Sequence, residues 1–144
     1  MAEDELSRAE RIIQELGATI AAPADILPTR TDKDLGYPHI EFSNGIYHFV
    51  VRERGAELQR RSTADLDNLL FWVFDSVTFS MASHYEVAHR VPNEDSRRGL
   101  FKQHLKLLSL LNPSWAKDRE IEIAKILKKH PFRDSKKIET EREI

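Results

Sequence analysis

Four polar residues recur along one side of a long apolar segment: Asn68, Asp75, Glu86 and His89, flanked by Phe71, Trp72 and Phe79. At about 100° per residue they fall near one angular stripe of a helix. A carboxylate held beside aromatic rings is partly desolvated, as a general acid or base must be. A narrow solvated stripe, a buried ion pair, or an acidic line anchoring a basic partner gives the same pattern. Other chemistries lack their residues. The chain has no cysteine, which removes disulfides, thiolate ligands and a cysteine nucleophile. It has no GxxxxGK[ST], no GxGxxG after a strand, no GxSxG and no HExxH, the signals of phosphate cradles, nucleophile elbows and zincin sites. His84 and His89 are five positions apart and turn away from a common helical face, so neither a metal site nor a cofactor is expected. Arg97-Arg98 stands beside Glu94 and Asp95. Mixed signs suit a solvated helix start or a structural salt bridge better than phosphate, and nucleic acid is not expected as a partner.

The element that carries the stripe is buried on nearly every side. From Leu66 to Met81 the apolar side chains cover almost all angles of the helical repeat, whereas a surface helix shows a single apolar stripe. Ser62 or Thr63 can cap this helix, and Asp65 and Asp67 suit the positive end of its dipole. The pattern predicts the central helix of the fold, running with a break to about Arg90.

A small sheet precedes it. Asn44-Gly45 is the dipeptide that best tolerates a type I′ turn. A two-residue loop there sets Phe42 opposite Tyr47, Ile40 opposite Phe49 and His39 opposite Val50. A second turn at Arg54-Gly55 sets Arg52 opposite Glu57, Val51 opposite Leu58 and His48 opposite Arg61. One face then carries Ile40, Phe42, Tyr47, Phe49, Val51 and Leu58. The other carries His39, Glu41, His48, Arg52, Glu57, Gln59 and Arg61, with Ile46 and Val50. Such segregation fits a sheet with one face on a core and one in water.

The remaining elements are helical. Leu6, Ala9, Ile12, Ile13 and Leu16 make an amphipathic first helix with Gly17 as its stop, and the segment Ala18 to Tyr37, with Pro23, Pro28 and Gly36, reads as a mobile loop. Pro92 ends the central helix and Asn93 to Asp95 can start the next, whose apolar face is Leu100, Phe101, Leu105, Leu107, Leu108 and Leu111. Asn112-Pro113 opens a fourth helix to about Lys129. The expectation is an α+β fold, helix-rich overall, with a small antiparallel three-stranded sheet against a bundle of about four helices. Residues 1–132 form a single globular domain in this reading, and 133–144 a charged, frayed tail.

With 144 residues, 32% charged, 40% hydrophobic and a net charge of -2, the chain reads as a soluble protein with no bulk affinity for polyanions or membranes. The acidic start Met1-Ala2-Glu3-Asp4-Glu5 is unlike a secretory signal, and the apolar run Leu69 to Phe74 is far short of a membrane span. A cytoplasmic location is expected.

Several ordered pieces point to a family. Tyr47-His48-Phe49-Val50-Val51-x-Glu53-Arg54-Gly55 is followed by Arg60-Arg61-x-Thr63-x-Asp65-Leu66-Asp67-x-Leu69-Leu70-x-Trp72-x-Phe74-x-Ser76-Val77-Thr78-Phe79. His89-Arg90, Asp95-Ser96-Arg97-Arg98, Pro113-x-Trp115-Ala116 and His130-Pro131-Phe132 come after it in order. Together they resemble the immunity protein 63 family of bacterial polymorphic toxin systems, over most of Tyr37 to Phe132. The resemblance implies a non-catalytic antitoxin that binds and neutralises a cognate toxin C-terminal domain in the cytoplasm of the producing cell or its kin. The alternative is a small enzyme or enzyme subunit built on Asp75, Glu86 and His89.

Two surfaces compete for the partner. The polar sheet face, His39, Glu41, His48, Arg52, Glu57, Gln59 and Arg61, has charges and two histidines that can give orientation and discrimination, and it is placed ahead because the rest of the fold is expected to cover the stripe. The helical stripe Asn68, Asp75, Glu86 and His89 is the second candidate. Neither pattern says whether the chain self-associates.

Overall fold

In the computed structural model, which describes residues 2–135, the elements run α1 (Glu5–Thr19), β1 (Leu35–Ser43), β2 (Ile46–Glu53), β3 (Ala56–Thr63), α2 (Leu66–Ala88), α3 (Ser96–Leu111) and α4 (Pro113–Lys129). The strands form one antiparallel sheet of order β1-β2-β3, and a single 3₁₀ turn lies at Ala24–Ile26. This is the α+β class that the pattern predicts. The chain divides within α2 into two compact units, Met1–Val77 and Thr78–Ile144.

In the first unit the Asp4 carboxylate accepts the Ser7 amide at 2.7 Å and caps α1. Gly17 does not end that helix, which continues to Thr19 with Gly17 buried inside it. The reason is close approach: Leu27 Cδ1 lies 2.6 Å from where a Cβ would stand. The segment after α1 is tethered rather than loose. Arg30 pairs with Glu10 at 2.7 Å and donates to the Ser7 hydroxyl, and the Asp34 carboxylate accepts the Gly55 amide at 2.9 Å.

Both turns of the sheet have two residues, and β1 pairs with β2 as the pattern predicts, with Phe42 opposite Tyr47, Ile40 opposite Phe49 and His39 opposite Val50. The β3 register differs. Arg52 faces Glu57 as expected, but Val51 then faces Gln59 and His48 faces Ser62, so Leu58 is the extra residue of a β-bulge. Side chains alternate strictly between faces, so one extra residue inverts every assignment beyond it. Leu58 is 60% exposed rather than part of the core. Gln59 and Arg61 leave the polar face and join that of Phe49 and Val51.

The start of α2 is also corrected. Ser62 and Thr63 end β3, and Asp65 is the cap, its carboxylate accepting the Asp67 amide at 2.9 Å. The helix has no break before Ala88. Leu69, Val73 and Phe74 have no solvent exposure, nor do Ala9, Ile13, Ile40 and Val50 of the same unit. Burial of each large apolar side chain contributes about 1.5–3 kcal/mol.

In the second unit the caps are those expected from the sequence. Asp95 accepts the Arg97 amide at 3.0 Å to start α3, and Asn112 accepts the Ser114 amide at 2.9 Å to start α4 with Pro113 in its first turn. The two helices pack together, with Leu107, Leu108, Trp115 and Ile123 buried. Arg97 and Arg98 have a structural role. Arg97 donates to the carbonyls of His130 and Pro131, while Arg98 pairs with Asp134 at 2.8 Å and lies 4.1 Å from the Phe132 ring centre. The amide of Arg133 donates to the Asp95 carboxylate at 2.8 Å and that of Ser135 to the Asn93 carbonyl at 2.9 Å. The rest of the expected tail, 136–144, lies outside the described residues. Among the described residues no helix is long and apolar enough to cross a membrane.

Candidate functional site

Five of the seven residues assigned to the polar sheet face lie there, and four of them join two newcomers in a closed ring. His39 Nε2 is 2.8 Å from Glu41 Oε2, and Glu41 Oε1 is 3.1 Å from Arg60. Arg60 pairs with Glu57 at 2.8 Å, Glu57 is 4.0 Å from Arg52, Arg52 is 3.1 Å from Asp32, and Asp32 returns to His39 Nδ1 at 3.9 Å. Asp32 and Arg60 are the members that the sequence reading missed. Arg60 carried a signal in hindsight: residues three apart on a regular strand face opposite ways, so a Glu57–Arg60 pair requires the bulge.

The ring satisfies its own charges. His39 and then Arg60 hold the Glu41 carboxyl below its ordinary range, and Arg60 does the same to Glu57. The two carboxylates raise Arg60 in turn. His39 is only 2% exposed, and among the described residues its Nδ1 has no hydrogen-bond partner. His48, the fifth residue, sits apart between Ser62 at 2.7 Å and Ser43 at 3.4 Å. Apart from the buried His39, the ring's side chains keep solvent access that screens their pairing, so the ring fixes geometry more than it stabilises the fold.

On the opposite face Gln59 and Arg61 line a cleft of about 280 Å³ with Phe49, Val51, Trp72 and Asp75. The Arg61 guanidinium lies over the Trp72 indole, 4.3 Å from its centre. A cation so placed is attracted by the ring quadrupole and loses rotamer freedom. The bulge thus brings two residues of the first candidate surface to one of the second, Asp75. Asn68 stands apart from the cleft, its amide donating to Thr63 Oγ1 at 3.3 Å.

The other two members of the stripe lie in the second unit. Glu86 is 8% exposed and is held by Arg90 at 2.7 Å, which lowers its carboxyl from the ordinary range. His89 stacks on Tyr85 with ring centres 4.0 Å apart, and its Nδ1 is 2.9 Å from the Tyr85 carbonyl. Asp75 lies in the first unit and Glu86 in the second, eleven positions apart along α2. Among the described residues no group of three or more histidine or carboxylate side chains is placed to hold a metal ion.

Comparison with known proteins gives one result. A family model described as Immunity protein 63 matches residues 43–125, a span that takes in the end of β1, all of β2, β3, α2 and α3, and most of α4. No curated protein and no solved structure matches.

Proposed function

This chain belongs to the immunity protein 63 family, and we propose that it neutralises one cognate toxin C-terminal domain by binding it in the cytoplasm, with no catalytic step of its own. The observation that carries the reading is the family match over more than half of the chain. The geometry is compatible with it. The carboxylates and histidine of the enzymatic alternative are spread along α2, with Glu86 committed to Arg90, and the sheet offers a rigid surface with fixed charges of both signs. Such a surface gives a protein partner orientation and discrimination. The docking surface in this proposal is the sheet of the first unit, ahead of the stripe on α2.

Co-expression with the toxin domain encoded beside this chain tests the proposal. Growth should be restored, and purification should recover the two proteins at a fixed stoichiometry. Protection by substoichiometric amounts of this chain, with turnover of the toxin's product, would refute it.

A further inference from the structure

The two outer edges of the sheet differ in what meets them. Ser43 and Ile46 close the first hairpin, so alternate residues of β2 from Ile46 bond toward β1, and Tyr47, Phe49 and Val51 bond toward β3. The intervening residues on the outer strands turn their N–H and C=O groups away from the sheet. On β1 one of these is Ile40, and its amide is used: it donates to the Thr29 carbonyl at 2.9 Å. On β3 beyond the bulge they are Arg60 and Ser62. Among the described residues no backbone group meets theirs, and β3 is exposed from Ala56 through Ser62.

The side chains beside this edge narrow the kind of strand that fits it. Arg60 is already neutralised by Glu41 and Glu57. Arg61 lies over Trp72 at 4.3 Å and makes no ion pair among the described residues. Pairing with β3 of a second copy, in a register centred on these residues, sets arginine against arginine, and like charges directly opposite are destabilising. Charge and a bulge are the usual guards of an edge against its own kind. The same Arg61 charge suits a strand bearing a carboxylate. Because the indole already restrains the guanidinium, less side-chain entropy is lost on pairing. Asp75 lines the cleft below, so the partner carboxylate has to reach Arg61 from the strand edge and not through the cleft.

We propose that β3 is the docking edge: an extended segment of the toxin domain adds to the sheet as a fourth strand through the outward backbone groups of Arg60 and Ser62, with an acidic side chain opposite Arg61. This rests on the toxin-binding reading above and names its surface.

Amide hydrogen exchange, followed by NMR on the full chain alone and saturated with the neighbouring toxin domain, tests it. The amides of Arg60 and Ser62 should exchange freely in the unbound protein and slow by about a hundredfold or more in the complex. Those of Arg61 and Thr63, bonded to β2, should be slow in both. Arg61→Glu should weaken toxin binding by about tenfold or more. Ser62→Pro removes an outward N–H and is compatible with an edge position, so it should also weaken binding. If that variant does not fold, exchange in the unmodified chain decides. A saturated complex in which the Arg60 and Ser62 amides still exchange freely overturns the docking edge and leaves toxin binding standing. Protection that grows with protein concentration in the absence of toxin assigns the edge to a second copy and overturns the proposed partner. Failure of any complex to form overturns both readings.

Discussion

Asn44-Gly45 and Arg54-Gly55 make the same turn, with φ of 52° and 77° in the first and 52° and 79° in the second. The strands they join behave differently. The first hairpin keeps its register for the length of β1 opposite β2 as far as Pro38, and the second loses it two pairs from the turn, at Leu58. A turn fixes the pairs next to it, and each further pair must be kept by what its side chains meet. In the first hairpin Ile40 and Phe49 meet across the strands and are both buried, so a slip would break up a packed pair. In the second, a regular register would bury one leucine and leave Arg60 and Arg61 on the wrong faces. The bulge exposes Leu58, places Arg60 between Glu41 and Glu57 and lays Arg61 on Trp72.

The contrast can be broken most sharply at paired apolar positions. Phe49→Ala should cost about 3–5 kcal/mol in urea unfolding, the cost of a buried phenylalanine. Leu58→Ala should cost within about 0.5 kcal/mol, as exposed sites do. A loss of 2 kcal/mol or more at Leu58, on the order expected for a core leucine, would restore the regular register and refute the bulge.

The shared turn geometry gives the next effect. Gly45→Ala and Gly55→Ala each force a Cβ into the left-handed region, at about 1–2 kcal/mol. Neither glycine has a neighbour within 4 Å of such a Cβ, so the two losses should be alike. A difference above about 1 kcal/mol would show that the turns are not equivalent.

Deleting Leu58 is the test in which the bulge predicts tolerance. Removing the extra residue leaves Val51 opposite Gln59 and every later pair unchanged, so the change in stability should be about 1 kcal/mol or less. A deletion at Ile40 puts a polar neighbour, His39 or Glu41, opposite the buried Phe49 and should abolish cooperative unfolding.

The smallest effect concerns pH. The carboxyls of Glu41 and Glu57 titrate lower in the folded chain than unfolded, because His39 and Arg60 favour their charged forms. Their contribution is therefore present above the unfolded value, about 4.3, and is lost as pH falls through the folded values. Urea midpoints should stay level from pH 7 to about 5 and then decline. In Arg60→Ala the midpoint at pH 7 should be slightly lower and the decline shallower. An identical acid slope in both proteins would show that Arg60 does not hold these carboxyls.

Much of the framework was readable from local signals. The caps at Asp95 and Asn112 and the first hairpin register follow from groups within a few residues of one another, and so they hold wherever the chain packs. The family was legible for a related reason, since its pieces lie in order along the chain and the family match covers residues 43–125. Gly17 was misread because the same residue type serves as a helix stop and as a contact point, and the contact is with Leu27, ten positions away. The candidate site was legible in composition but not in arrangement. Strand alternation has a period of two, so one bulged residue reverses which side every later group serves. That reversal separated Arg61 from Glu41, brought it to Trp72 and admitted Arg60 to the ring, while Asp32 enters from the segment before β1 through His39 and Arg52.

The sequence by itself determined the element types, the caps at Asp95 and Asn112, the two turns and the family, because each depends on residue type and short spacing. Only the tertiary structure decided which strand edge is covered and which side chains meet across strands. Those outcomes depend on groups far apart in the chain, such as Thr29 with Ile40 and Glu41 with Arg60, and their distances are set by packing.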